Sequence, residues 1–213
     1  MQKLFFLLFF LIGVSFSFFE IRAKEYDYLI CIDPGHGGMD GGTIYDDLVE
    51  KNINLVISLK LKKILELSGF KVILTRDSDI SLSGEKFIKK EDLNKRIKII
   101  NNSNANLFVS IHVNSFPQRK YYGAQTFFHT SNPHNELIAS LIQESLIKYT
   151  DTNRMIKPLD SIYLLKYVSI PGCLVECGFI SNYKEYILLQ KDEYLDLLCK
   201  SITLAIIEYL EFC

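Results

Sequence analysis

Two histidines and two glutamates, far apart in the chain, are the residues of this sequence best suited to do chemistry. His36 stands in Asp33-Pro34-Gly35-His36-Gly37-Gly38, with Asp40, Gly41 and Gly42 close behind. Pro34 ends ladder hydrogen bonding, and the glycines let the backbone take φ > 0 or approach a ligand closely. A single imidazole among glycines reads as an exposed ligand or acid/base group. Glu50 opens the helix that follows this loop. Alone, a first-turn glutamate complements the helix dipole; here its position also lets it face His36. His112 terminates a buried strand, LFVSIH, and Glu176 lies inside another, CLVECGF, where a lone carboxylate is expensive unless paired, protonated or bound to a cation. Two imidazoles and one carboxylate leave an open position on a tetrahedral zinc, the ligand set of a hydrolytic rather than a structural site. A metal so held lowers the pKa of water to about 7 and polarises a carbonyl. Such a site still needs a carboxylate that is not a ligand, to carry a proton from water to the leaving amine. Glu176 fits that role with Glu50 as ligand. Chemistry alone leaves the reverse assignment open, although Glu50 is nearer His36 in the chain.

Other readings of these segments are weaker. Counted from Gly35 and Gly37, the third glycine of a dinucleotide fingerprint would fall on Asp40. Gly37 and Gly42 have the spacing of a phosphate-binding loop, but Thr43 stands where its lysine should be. The five cysteines, Cys31, Cys173, Cys177, Cys199 and Cys213, show no C-x-x-C spacing and sit mostly in apolar segments, as small buried hydrophobes do. Cys177 adjoins Glu176, yet on a strand neighbours point to opposite faces. Arg96 reads first as a structural ion-pair partner. His129 and His134 have no partner motif. The net charge is -1 and no window is dominated by Lys or Arg, which argues against a nucleic-acid footprint.

The elements that must position the four residues alternate between strand and helix. Tyr28 to Ile32 is a short β-branched run, a buried strand leading into the glycine loop. From Lys51, Ile53, Val56, Ile57, Leu61, Ile64 and Leu65 recur at helical spacing, with Gly69 as the stop. Phe70 to Thr75 predicts a second strand, Glu91 to Asn101 a helix with Leu93, Arg96, Ile97 and Ile100 inward, and Leu107 to His112 a third strand. Gly123 to His129 is a further strand near the sheet edge. Asn132-Pro133 starts a helix to about Tyr149, with Leu137, Ile138, Leu141, Ile142 and Leu146 as its buried stripe. Residues 150 to 161 form a polar connection, and Ile162 to Leu165 is extended. Cys173 to Phe179 is the last strand, placing Leu174, Glu176 and Gly178 on one face. A short helix from Lys184 and a long apolar one from Asp192 to Tyr209 complete the chain. This pattern predicts a single α/β domain, a mainly parallel twisted sheet of about six strands with helices on both faces. In such sheets the site forms beyond the carboxyl ends of the strands, where His36, Glu50, His112 and Glu176 converge.

Residues 1–23 differ from the rest. One lysine precedes an apolar stretch from Leu4 to about Phe19, then Glu20 and Arg22 restore polarity, the layout of an export signal. Ser15-Phe16-Ser17 offers a small-x-small cleavage site, yet the stretch is nearly long enough to span a bilayer uncut, so a cleaved signal and a membrane anchor both stand. The domain at residues 24–213 is expected to act outside the cytoplasm, touching membrane only through the leader.

The motifs together, Asp33-Pro34-Gly35-His36-Gly37-Gly38 with Asp40, then Glu50, Thr75-Arg76, Arg96, Ser110-Ile111-His112-Val113-Asn114 and Val175-Glu176-Cys177-Gly178-Phe179-Ile180-Ser181-Asn182, resemble the zinc-dependent N-acetylmuramoyl-L-alanine amidases. The resemblance covers nearly everything after residue 27. It implies one zinc ion bound by His36, Glu50 and His112, with Glu176 as the catalytic carboxylate. It also implies hydrolysis of the peptidoglycan amide joining the muramic acid lactyl group to L-alanine of a stem peptide. The match looks closest to the germination-specific, spore-cortex branch, on an insert around Ser83-Gly84-Glu85-Lys86 and a catalytic domain without wall-binding repeats. That branch implies stem-peptide removal on the way to muramic δ-lactam and action in the cell envelope, spore cortex or intermembrane space; a catalytic domain without wall-binding modules must also find its polymer, which makes an accessory activating protein a candidate partner. Cys177 departs from the aliphatic residue expected there. The alternatives are a non-catalytic peptidoglycan-binding module and a zinc peptidase cutting within the stem peptide.

Overall fold

The computed structural model describes residues 26–212. The export segment expected at residues 1–23, like Cys213, lies outside the described residues. Eight strands and six helices are described: β1 (Leu29–Pro34), β2 (Ile44–Tyr45), β3 (Leu48–Val49), α1 (Glu50–Leu67), β4 (Lys71–Leu74), α2 (Lys89–Asn102), β5 (Leu107–Asn114), β6 (Gln125–Phe128), α3 (Pro133–Tyr149), β7 (Lys157–Pro158), α4 (Tyr163–Tyr167), β8 (Gly172–Phe179), α5 (Tyr183–Leu188) and α6 (Asp192–Phe212).

Six strands form one sheet in the order β4-β1-β5-β8-β6-β7, and β2 pairs with β3 in a separate hairpin. β4, β1, β5 and β8 run parallel; β6 joins β8 antiparallel and pairs in parallel with the two-residue β7. The predicted single α/β domain with a mainly parallel sheet of six strands is what is found. Strand alternation sorts the side chains of β1, β5 and β8 to the two faces. Ile30, Ile32, Leu107, Val109, Ile111, Cys173, Val175 and Cys177 enter the larger apolar cluster, shared with α1, α3 and α6. Cys31, Phe108, Phe127 and Leu174 enter the smaller one, on the side of α4.

Helix α1 buries Ile53, Ile57, Leu61 and Leu65, an i, i+4 stripe, and Gly69 ends it at φ 95°. Val56 points outward, since it lies off that stripe. In α3 the stripe is Ile138, Ala139, Leu141, Ile142 and Leu146, while Leu137 is exposed. Pro133 opens α3, and the Asn132 side chain accepts from His134 N–H. α6 packs across α1 and α3 and is apolar on more than one side as a result. Leu137 is thus not part of the buried stripe expected of it, and three further expectations need correction. The segment expected to be extended over 162–165 is the start of α4, whose Leu164 and Leu165 are buried in the smaller cluster. The polar connection contains β7, and β5 continues past His112 to Asn114, so His112 sits on the sheet rather than ending it. The four cysteines of the described residues are buried and unpaired, as expected of small hydrophobes. Among the described residues, no helix is long and apolar enough to cross a membrane.

Candidate metal-binding active site

The loop after β1 carries His36 with φ 62°, a left-handed conformation uncommon outside glycine. It is held by its own carbonyls. Arg96 donates to the carbonyl oxygens of Pro34 (2.7 Å) and His36, and Arg76 to those of Pro34 (3.0 Å) and Gly35 (2.9 Å). Asn54, one turn into α1, donates to Gly35 O as well (3.2 Å). Arg96 is 2% exposed and also binds Asp33 Oδ1 (2.8 Å) and Asp92 Oδ2 (2.7 Å). Burial alone would raise the Asp33 carboxyl; the Arg96 charge and hydrogen bonds from Thr75, Ser110 and Arg96 outweigh it and hold Asp33 below the usual carboxylate range. Arg96 is thus the structural ion-pair partner its position predicts.

Glu50, the first residue of α1, meets both imidazoles through one oxygen. Glu50 Oε1 lies 3.1 Å from His36 Nε2 and 3.0 Å from His112 Nδ1. Burial opposes a charge on Glu50, but hydrogen bonds from His112 and His36 hold its carboxyl well below the ordinary range. Burial likewise opposes charge on His36, and Glu50 and Asp40 together raise it. Asp40 Oδ2 stands 2.8 Å from His36 Nδ1, close enough to pair electrostatically though off the line of a good hydrogen bond. Glycine is needed at two places around this cluster. A Cβ on Gly35 would fall 2.3 Å from the His112 ring, and one on Gly42, at φ 66°, would fall 2.6 Å from Glu50 Oε2.

One ligand atom from each of His36, Glu50 and His112 lies within 4.8 Å of the others. Donors sharing a tetrahedral zinc at 2.0–2.1 Å stand about 3.3 Å apart, so this set fits the ion in type and spacing. Glu176 completes the arrangement from the neighbouring strand. His112 and Glu176 are register partners across β5 and β8, just before a register shift between His112 and Asn114. Burial pushes the Glu176 carboxyl up to about 7, with His112 and His36 pulling against it and Glu50 reinforcing it, and its Oε2 is buried without a hydrogen-bond partner. A cleft of about 370 Å³ opens over these groups, walled by Phe87, Leu93, Ile162, Tyr163 and Leu174.

All four sequence-predicted residues meet at this one place. His129 and His134 do not: His129 Nδ1 accepts from Ser131 N–H, and His134 lies edge-on to Tyr209. Two residues escaped sequence reasoning. Asn54, fully buried one turn beyond Glu50, donates toward both Gly35 O and Glu50 Oε1 (3.4 Å); a polar residue inside the apolar stripe of α1 was its signal. Glu185 is buried and accepts from Gly123 N–H (3.0 Å) and Phe179 N–H (2.7 Å), fastening the end of β8.

The N-acetylmuramoyl-L-alanine amidase family model, Amidase_3, matches residues 30–208. The germination-specific N-acetylmuramoyl-L-alanine amidase of Bacillus subtilis is 41% identical over 187 residues, covering 85% of this chain and 79% of that protein. Among solved structures, the CwlD amidase of Clostridioides difficile, in complex with the GerS lipoprotein, is 45% identical with a TM-score of 0.84, covering 88% of this chain and all of that one. The amidase AmiC2 of Nostoc punctiforme is 30% identical with a TM-score of 0.77, covering 88% and 99%. A match across the whole described sheet, joined to the convergence of its spaced motifs, makes this chain a member of the N-acetylmuramoyl-L-alanine amidases, enzymes that act on peptidoglycan.

Proposed function

We propose that this amidase is a one-zinc enzyme in which His36, Glu50 and His112 hold the ion and Glu176 carries the proton. The observation that carries the reading is the Glu50 carboxylate between two imidazoles, with Glu176, one of whose oxygens is buried without a hydrogen-bond partner, as the register partner of His112. Bound there, zinc would lower the pKa of water and polarise the scissile carbonyl. The chain's own residues do the rest. Glu176, with a carboxyl near 7, takes a proton from the attacking water and returns it to the nitrogen of L-alanine as the amide opens. The Asp40 carboxylate beside Nδ1 would favour the His36 ring position in which Nε2 stays on the Glu50 side as a ligand, and Arg96 and Arg76 keep the loop carbonyls in place. The walls of the cleft limit water around the reacting bond.

The biological setting is the spore cortex, where removing stem peptides prepares muramic δ-lactam. The name of the B. subtilis relative, a germination-specific amidase, supports it. An export segment at residues 1–23, cleaved or kept as an anchor, delivers residues 24–213 outside the cytoplasm. Because the C. difficile neighbour forms a complex with a lipoprotein, an accessory protein is the partner to test here.

The decisive experiment compares the parent with His112→Ala and Glu176→Gln, measuring zinc by plasma mass spectrometry and amine release from peptidoglycan on the same samples. The parent should hold zinc near one to one and release intact stem peptides beginning with L-alanine. His112→Ala should lose both metal and activity; Glu176→Gln should keep metal and lose about 10²- to 10⁴-fold in turnover. Turnover near the parent's in Glu176→Gln would remove Glu176 from the mechanism, and truncated stem peptides would mean a different bond is cut.

A further inference from the structure

A second groove, of about 470 Å³, lies one strand from Glu176, where β6 and β7 close the sheet. Its wall includes Lys120, Tyr121, Tyr122, Gln125, Arg154 and Lys157, and no Asp or Glu lines it. Among the described residues none of the three cations makes an ion pair within 4.0 Å, in a chain whose net charge is -1. Elsewhere on this surface, lysines such as Lys51, Lys60 and Lys184 do have carboxylate partners. One carboxylate that feels the Arg154 charge, Glu185, is buried and committed to the backbone N–H groups of Gly123 and Phe179.

Arg154 is built in rather than loose. Its guanidinium stacks 4.4 Å over the Phe179 ring, Nε donates to Tyr122 O (2.6 Å), and Nη1 donates to Gln125 Oε1 (3.1 Å). Gln125 is held in turn by donating to Met155 O (2.8 Å). These bonds use Nε and Nη1 and leave Nη2 to an incoming acceptor. The groove also faces the right way. Gln125 and Glu176 are register partners on antiparallel strands, and directly opposed residues share a face with Cα atoms about 5 Å apart. Phe127 and Leu174, the next such pair, both enter the smaller apolar cluster, which fixes that face as the one carrying Glu176.

We propose that this groove binds the carboxylates of the stem peptide, on the leaving-amine side of the scissile bond, with Arg154 as the guanidinium that recognises them. The inference rests on the amidase reading of Glu176. Two extended residues span about 7 Å, so an acidic residue following L-alanine reaches from Glu176 past Gln125 to Arg154. Lys120 and Lys157 add charge for carboxylates further along the peptide, and Tyr121 and Tyr122 give its apolar parts a flat wall. The muramoyl group then occupies the cleft on the α2 and α4 side, and the substrate has one direction across the sheet.

The test uses two muramoyl dipeptides with the same scissile bond, differing only in whether the second residue's carboxylate is free or amidated. The parent full-length protein should prefer the free acid about tenfold or more in kcat/KM. Arg154→Gln should lower the free-acid rate until the preference vanishes, with the amidated substrate's rate nearly unchanged. Calorimetric titration of the free-acid dipeptide product into metal-free protein should show the same loss without any turnover. Because Arg154 also packs on Phe179, Lys120→Gln/Lys157→Gln gives an independent arm on exposed side chains, expected to weaken binding of a longer acidic peptide about threefold. An equal loss on both substrates would make Arg154 merely structural and overturn the inference. A parent preference of one, unchanged by either variant, would overturn it while leaving the amidase reading intact. Cleavage of neither substrate with preserved, Arg154-dependent peptide binding would do the reverse.

Discussion

Replacing Arg96 with Met tests whether the glycine loop is held by the buried cation beneath it. The substitution keeps much of the side chain's volume and removes four donor contacts, to Asp33, Asp92, Pro34 O and His36 O. Asp33 is 1% exposed, so its carboxylate is left without the charge that made burial tolerable. Breaking one side of a buried ion pair costs about 3–5 kcal/mol. Asp33 retains hydrogen bonds from Thr75 (2.6 Å) and Ser110 (2.7 Å), which places the expected loss at the lower end, about 3 kcal/mol. That is a large part of the roughly 5–15 kcal/mol that stabilises a domain. Urea unfolding of the metal-free protein measures it directly, and Arg96→Met/Asp33→Asn should recover about half by removing the stranded charge. The pH dependence should also change sign. In the parent, the Asp33 carboxyl is held down, so its contribution is present above the unfolded value near 3.9 and is lost as pH falls through the folded value. With Arg96 gone, burial raises Asp33, and stability should fall as pH climbs above about 4. A loss below about 1 kcal/mol, or a double variant no more stable than Arg96→Met, would refute the idea that this pair carries the loop.

The other expectations concern the site itself. Gly35→Ala sets a methyl 2.3 Å from the His112 ring, so the imidazole must leave its place; zinc content should collapse while the variant stays folded, with a loss of about 1–3 kcal/mol in thermal unfolding. Asp40→Asn should weaken zinc about 10- to 100-fold in chelator competition, and an unchanged affinity would show that Asp40 does not set the His36 ring. Without metal, Glu176 titrates near 7 when folded against about 4.3 unfolded. Its native state therefore binds more protons across that window, and stability should decline as pH rises through it, by at most about 3 kcal/mol because the residue is not wholly enclosed. Glu176→Gln should flatten that slope in urea titrations between pH 4.5 and 7.5.

Much of the sheet could be read from short-range pattern. β1, β5 and β8 are apolar runs bounded by Pro, Gly or Asn, and both faces being covered explains their lack of polar alternation. What pattern reading missed were elements too short to have a period. α4 has five residues, and its leucines look extended because one turn of helix and a buried strand need the same apolar residues. The β2 and β3 pair has two residues on each strand, and β7 has two, so neighbours decide them. The apolar run LFVSIH places the end of β5 at His112, ahead of Asn114 and Ser115. The strand continues because His112 faces a polar site across the sheet from the core, where an imidazole is in keeping with Ser110 and Asn114 on the same side.

His36 and Glu176 were legible for the opposite reason, because each violates its surroundings, whereas Glu50 and His112 read as ordinary until they are set beside them. A carboxylate inside CLVECGF and an imidazole among glycines have no bland purpose, and topology requires that they meet at one edge. Their supports obey local rules and therefore stayed quiet. Arg96 shows in the sequence only as an ion-pair partner, Arg76 only as a cation after a strand, and Asn54 only as a polar residue in an apolar stripe, until the fold brings them to loop carbonyls 19 to 62 positions away. The physical need for them follows from the loop itself. A glycine-rich segment has almost no side chains to be gripped by, so its backbone N–H and C=O groups must hold it, and donors for the carbonyls of Pro34, Gly35 and His36 come from elsewhere in the chain. Guanidinium groups suit this because one fork reaches several oxygens at once: Arg96 takes Pro34 O, His36 O and Asp33 together, and Arg76 takes Pro34 O, Gly35 O and Lys51 O. His36 keeps its left-handed φ of 62° only while those bonds over-determine it. The placement of the first candidate ligand is thus a property of β4 and α2 as much as of the motif in which it is written.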